Sequence, residues 1–144
     1  MKLTEQQKKW NESIERAWKN RNKDEIVYNE TLFSNPTIFN LYEKLKEKIL
    51  QINQKNITIV EKSNYISFKV KKNNRNFVDV QLQKFAIKCL INIKFGKLKD
   101  LKKISRDVSK VGHFGSGDYE ITINSVADIE NSLDLIKQSY EINS

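Results

Sequence analysis

The chain reads as an α+β domain: a five-stranded, mainly antiparallel sheet with helices packed on one face, plus an N-terminal helix. Three observations predict it. Apolar residues recur at helical spacing over residues 5–21, 36–53 and 126–141. Between the second and third of these helices the period changes to two, in four short runs between residues 57 and 95. Only three to five residues separate successive runs, and connections that short join antiparallel neighbours, because a parallel pair needs a long crossover. The length of 144 residues fits one folded domain and is enough to bury a core without a disulfide or metal.

The first helix opens with Thr4 and Gln7 in capping-box spacing, and Trp10, Ile14, Ala17 and Trp18 then form a stripe. Residues 22–35 are polar and irregular, so 1–35 is expected to be a helix and connector and 36–144 the α+β domain. Ser34-Asn35-Pro36 starts the second helix, since Pro at the first helical position gives up no needed N–H bond. Ile38, Leu41, Tyr42, Leu45, Ile49 and Ile52 line its inner face to about Asn53.

The four runs are 57–61 (ITIVE), 65–71 (YISFKVK), 77–83 (FVDVQLQ) and 87–95 (IKCLINIKF). Ile66, Phe68 and Val70 share one face, with Ser67, Lys69 and Lys71 on the other. Likewise Ile87, Cys89, Ile91, Ile93 and Phe95 oppose Lys88, Asn92 and Lys94. One face is therefore expected to be covered and the other wet. Asp100 is placed to cap a short helix carrying Leu101, Ile104, Val108 and Val111. Residues 119–123 make the fifth strand. Ser125 with Asp128 caps the last helix, whose inner stripe is Val126, Ile129, Leu133, Ile136 and Tyr140.

The formal net charge is +8, from 26 basic and 18 acidic residues. Lys, Asn and Ile supply 55 of the 144 residues, the bias of an AT-rich coding sequence, so part of the charge needs no partner to explain it. Its distribution says more. Residues 36–105 carry sixteen positive and five negative charges, while residues 106–144 carry three positive and seven negative. A codon bias alone would not spare the last third. Lys69, Lys71, Lys88 and Lys94 on the wet sheet face are the candidate contacts to a DNA or RNA backbone. The rival reading is that these lysines only keep an exposed face soluble. Scarce Arg and the lack of exposed aromatics on the wet face argue against readout of sequence.

Three of the four glycines lie in Gly112-His113-Phe114-Gly115-Ser116-Gly117, with the only His among them. The cluster calls either for a tight reversal ahead of the fifth strand or for close approach to a ligand. It is no phosphate loop, which would precede a helix and carry Lys-Ser/Thr. Gly112, His113, Gly115, Gly117 and Tyr65 are the ligand-binding candidates. His113 with Asp118 and Arg106 is the candidate acid–base set for a small metal-dependent or acid–base enzyme. Nothing in the spacing brings Asp79 to His113, and the acid-x-Lys triplet of nucleases is not formed where Asp79 is followed by Gln81, Gln83 and Lys84. No metal site or cofactor is expected. The single Cys89 excludes an internal disulfide and reads as a small core hydrophobe.

The stretch from Ile38 to Tyr140 resembles a small bacterial and archaeal domain of unknown function. That family is often labelled "predicted transport protein" and occurs appended to restriction-type, DNA-associated proteins. The resemblance is carried by Leu41-Tyr42-Glu43-Lys44-Leu45, Tyr65-Ile66-Ser67-Phe68-Lys69, Asn76-Phe77-Val78-Asp79-Val80 and above all Arg106-Asp107-Val108-Ser109 through Gly112-His113-Phe114-Gly115-Ser116-Gly117-Asp118-Tyr119-Glu120. It implies architecture and a DNA-associated context, and no catalytic residues. No stretch approaches the apolar length of a membrane span and the start carries no apolar leader. The transport label is therefore set aside and a cytoplasmic location expected. The expected function is a non-catalytic, nucleic-acid-associated binding or accessory module. The alternatives are the enzyme at the Gly-His segment, or a module for a protein partner, self-association or a small ligand.

Overall fold

A computed structural model describes residues 4–8, 36–62, 65–113 and 115–144. Thr4 and Gln7 form the reciprocal cap: Gln7 N–H donates to Thr4 Oγ1 at 3.1 Å and Thr4 N–H to Gln7 Oε1 at 2.9 Å. Residues 5–8 are helical. The Gln7 amide is buried and donates to Asn40 Oδ1, which joins the start of the chain to the next helix. The rest of the expected first helix, with Trp10 and Trp18, and the 22–35 connector lie outside the described residues.

Helix α1 (Pro36–Leu50) buries Ile38, Phe39, Leu41, Tyr42, Leu45 and Ile49. It stops short of Asn53, and a 3-10 turn at Gln54–Asn56 leads into the sheet. The strands are β1 (Ile57–Glu61), β2 (Ile66–Val70), β3 (Arg75–Leu82), β4 (Ile87–Ile91), β5 (Ser105–Asp107) and β6 (Tyr119–Ile123), in the order β1-β2-β3-β4-β6-β5. Every pairing is antiparallel.

The sheet thus has six strands, not five, and β5 takes the place of the expected short helix. The Asp100 carboxylate does cap, but it caps a turn. It accepts from Ile104 N–H (3.2 Å), Ser105 N–H (2.8 Å) and Ser105 Oγ (2.5 Å). Lys103 adopts φ 53° within that turn, a left-handed conformation that no helix interior contains. Leu101 is 96% exposed, so the apolar stripe never forms.

Ile66, Phe68, Val70, Val78, Val80, Leu82, Ile87, Cys89, Ile91, Ile121 and Ile123 make the covered face. A bulge opposite Phe68/Lys69 turns Phe77 to the same side as Val78. There its ring meets Tyr140 edge-on, 5.3 Å between centroids.

Tyr140 belongs to helix α2 (Val126–Asn143), capped by Ser125 Oγ accepting from Asp128 N–H at 3.2 Å. The inner stripe of α2 differs from expectation. Val126 is exposed and Leu133 only partly buried, whereas Ser132, Leu135, Ser139 and Asn143 are buried. Small polar residues suit a close approach of helix to sheet once their groups are bonded. Ser139 Oγ donates to Phe77 O, and Ser132 Oγ to Asp128 O. No described helix is long and apolar enough to cross a membrane.

Candidate functional site

The Gly-His segment is the long loop of the β5–β6 hairpin, closed by Val108 N–H donating to Asp118 O at 2.8 Å. It folds over the sheet face opposite the helices. Ser116 N–H donates to Asp79 Oδ2 at 2.8 Å, and Asn76 Nδ2 donates to Asp79 Oδ1 at 3.1 Å. Asp79 and its cross-strand neighbour Ser67 are both fully buried. The face expected to be wet is therefore covered at its centre. Leu90, paired with Asp79, and Val108, at the head of the loop, are buried outside the main core.

Two of the three clustered glycines are dictated by this docking. A Cβ on Gly115 (φ +64°) would lie 2.5 Å from Asp79 Oδ2, and one on Gly117 (φ +105°) 2.0 Å from Ile91 O. At Gly112 a Cβ would meet nothing within 4 Å. His113 is exposed. Close approach to the protein's own sheet thus accounts for Gly115 and Gly117.

Two members of the acid–base set have other partners. Asp118 Oδ2 accepts from Phe95 N–H at 2.8 Å. Arg106 lies 3.6 Å from Glu120 Oε1. Among the described residues no group of three or more His, Cys, Asp or Glu is placed to hold a metal ion. Tyr65 precedes β2 at the other end of the sheet from Tyr119, its hydroxyl accepting from Lys62 Nζ at 3.3 Å. Burial, with Glu120 adding to it, pushes the Cys89 thiol up to about 12, so it stays protonated and packs as an apolar group.

The four candidate lysines divide. Lys88 is spoken for: its ammonium donates to Thr122 Oγ1 at 2.6 Å and lies 3.8 Å from Glu120. Lys69, Lys71 and Lys94 instead belong to one end of the sheet, where three segments meet: the 54–56 turn, the 71–75 turn and the 92–97 exit from β4. Asparagines sew that end together. Lys71 N–H donates to Asn56 O (2.7 Å) and Lys72 N–H to Asn56 Oδ1 (3.0 Å). Asn73 Nδ2 reaches Asn143 O (2.7 Å), Asn143 Nδ2 reaches Asn92 O (2.9 Å), and Asn92 Nδ2 reaches Asn76 O (2.7 Å).

Lys55, Lys71, Lys72, Arg75, Lys94 and Lys97 are all exposed there, and none of the three segments contains an Asp or Glu. Lys69 sits half-buried just inside, and Glu141 lies close by, lining a shallow recess with Lys97, Lys99, Gln138 and Ile142. Lysines spaced irregularly along the sequence hide this grouping; the signal available was that all three segments leave the same end of an antiparallel meander.

Phe95 was expected inside the covered face. Instead β4 stops at Ile91, and Lys94-Phe95-Gly96-Lys97 is a turn closed by Lys97 N–H donating to Lys94 O at 3.0 Å. Gly96 takes φ +87° at its third position, as a type II turn requires. The ring is 62% exposed and stacks on Tyr119, 6.3 Å between centroids and 21° between planes.

Known proteins share sequence with much of this chain. It is 41% identical over 101 residues, 70% of its length, to a Haemophilus influenzae protein described as "Uncharacterized protein". Those residues make up 32% of that relative, so the chain spans about a third of its length. No solved structure matches. The family model for a domain of unknown function, DUF5655, matches residues 29–143, and the chain belongs to that family.

Proposed function

We propose that this domain is a non-catalytic binding module that engages the phosphate backbone of nucleic acid through the lysine-rich end of its sheet. One observation carries the reading: six exposed cations from three separate segments meet at one end of the fold, with no acidic residue on those segments. Charge concentrated this way raises the local potential where the same charge spread over the surface would not. Four neighbouring strands, β1 to β4, at about 4.8 Å spacing make an edge about 14 Å long. Phosphates of one duplex strand repeat about every 3.4 Å along the helix axis, so an edge lying along that axis spans about four. Lysine predominance suits contacts to phosphate more than reading of bases, which favours Arg. The DNA-associated context that the resemblance implies points the same way.

The test is a titration of the full chain against duplex DNA, single-stranded DNA and RNA at two salt concentrations. The affinity is expected to fall with a log–log slope of about −3 to −4. A Lys71→Glu, Lys72→Glu variant is expected to weaken binding to every sequence alike and flatten that slope. No binding at low salt, or affinity that ignores salt, refutes the proposal.

A further inference from the structure

We infer that the nucleic acid taken by this end of the sheet is single-stranded, with one base stacked on the open face of Phe95. The inference rests on the reading of the basic end above and adds the state of the strand. Phe95 stands between Lys94 and Lys97, in the middle of the 92–97 segment. Tyr119 stacks beside its ring, 6.3 Å between centroids, and the residue is 62% exposed, which leaves ring surface open to solvent.

An exposed phenyl group among lysines gains nothing by staying wet. Here the backbone on both sides of it is held. Phe95 N–H is bound by the Asp118 carboxylate, and Gly96 N–H donates to Tyr119 Oη at 2.7 Å. The ring is thus a platform already fixed in position, and a ligand that stacks on it need not order the turn first. Bases in a duplex present their faces to one another, so only an unstacked base can use such a ring, while neighbouring phosphates lie against the lysines.

Phe85 makes the natural comparison. It is 76% exposed, with Lys84 Nζ 5.6 Å from its ring centroid, but it lies in the β3–β4 connection at the opposite end of the sheet. Phe85 thus has a lysine beside it but lies away from the grouped cations, which makes it the control for position.

The unsubstituted chain, Phe95→Ala, Phe95→Leu and Phe85→Ala are titrated with a single-stranded oligonucleotide and with its duplex, thermal unfolding being recorded for each. Phe95→Ala and Phe95→Leu are expected to weaken single-strand binding about 10-fold or more, the loss typical of one stacked base. Duplex affinity and the salt slope should stay as they were, and Phe85→Ala should match the wild type on both ligands. Equal loss on both ligands, no loss with Phe95→Ala, or full rescue by Phe95→Leu overturns the stacking inference while leaving the basic end intact. If instead no ligand binds in a salt-dependent way, the reading of the basic end itself fails.

Discussion

Gly115→Ala is the sharpest probe of how the hairpin loop is held on the sheet. The added methyl would lie 2.5 Å from Asp79 Oδ2, 2.7 Å from Asp79 Cβ and 2.9 Å from Cγ. The three nearest atoms all belong to the Asp79 side chain, and the strand fixes its Cβ, so the loop must draw back from Asp79. If it moves, the bond from Ser116 N–H is lost, and hydrogen bonds to charged groups contribute about 1.5–3 kcal/mol. The φ of +64° costs a residue with a Cβ about another 1 kcal/mol. The sum is a destabilisation of about 3 kcal/mol. For a chain of this length that lowers Tm by about 10 °C.

Because the strain runs through one side chain, the two positions must couple. Asp79→Gly loses the anchor but also removes the three atoms nearest the methyl, the Cβ included. Urea unfolding of Gly115→Ala, Asp79→Gly and the double variant should show the double variant less destabilised than the sum by about 2 kcal/mol. Gly112→Ala, which meets nothing within 4 Å, should fall within about 0.5 kcal/mol of the wild type. Additive effects at 115 and 79 would refute the docking of this loop on Asp79.

Two further outcomes concern pH. Partial burial opposes ionisation of Asp100, but the hydrogen bonds from Ser105, Ile104 and Lys103 together hold its carboxyl below the ordinary range. Asp100→Ala should cost about 1–2 kcal/mol at pH 7 by urea unfolding. A depressed pKa gives stability present above the unfolded value and lost as pH falls through the folded one, so the difference should shrink below about pH 4. Glu43 is the opposite case: burial raises its pKa, Lys46 partly offsets this, and Glu61 adds to the rise. Its contribution is intact below the unfolded pKa and is lost as pH rises through the folded one. Glu43→Gln should therefore stabilise at pH 7, by less than about 1 kcal/mol, and change nothing at pH 4.

The elements that were legible in the sequence are those whose side chains also report their environment. β1 and the strand at 119–123 stand where alternation puts them, and Thr4, Gln7, Ser125 and Asp128 cap as their spacing predicts. Strand β5 was illegible because Ser105-Arg106-Asp107 joins the sheet edge through its backbone, and an edge strand needs no apolar alternation. The α2 stripe slipped because an apolar scan passes over Ser132 and Ser139, whose small size lets the helix approach. Asp79 reads as a wet-face residue at period two. The group that buries it comes 37 residues later, and no local pattern announces that contact. Phe95 continues the alternation of Ile91 and Ile93, but the left-handed Gly96 that follows ends the run in a turn.

The Gly-His segment and the basic end are better understood as one construction than as rival sites. Gly117 lets the chain pass against the β4 backbone at Ile91, and Asp118 N–H then donates to Ile93 O at 3.2 Å. That docking sets Asp118 and Tyr119 under the 94–97 turn, where the carboxylate takes Phe95 N–H and the phenol takes Gly96 N–H. The most conspicuous feature of the sequence thus buttresses the aromatic turn, and the buttress needs glycine at 115 and 117 but makes no such demand at 112. A clash at Gly117 should therefore be felt twice: in stability, because the neighbour is backbone and cannot give way, and at the Phe95 turn, because Asp118 and Tyr119 would shift with it.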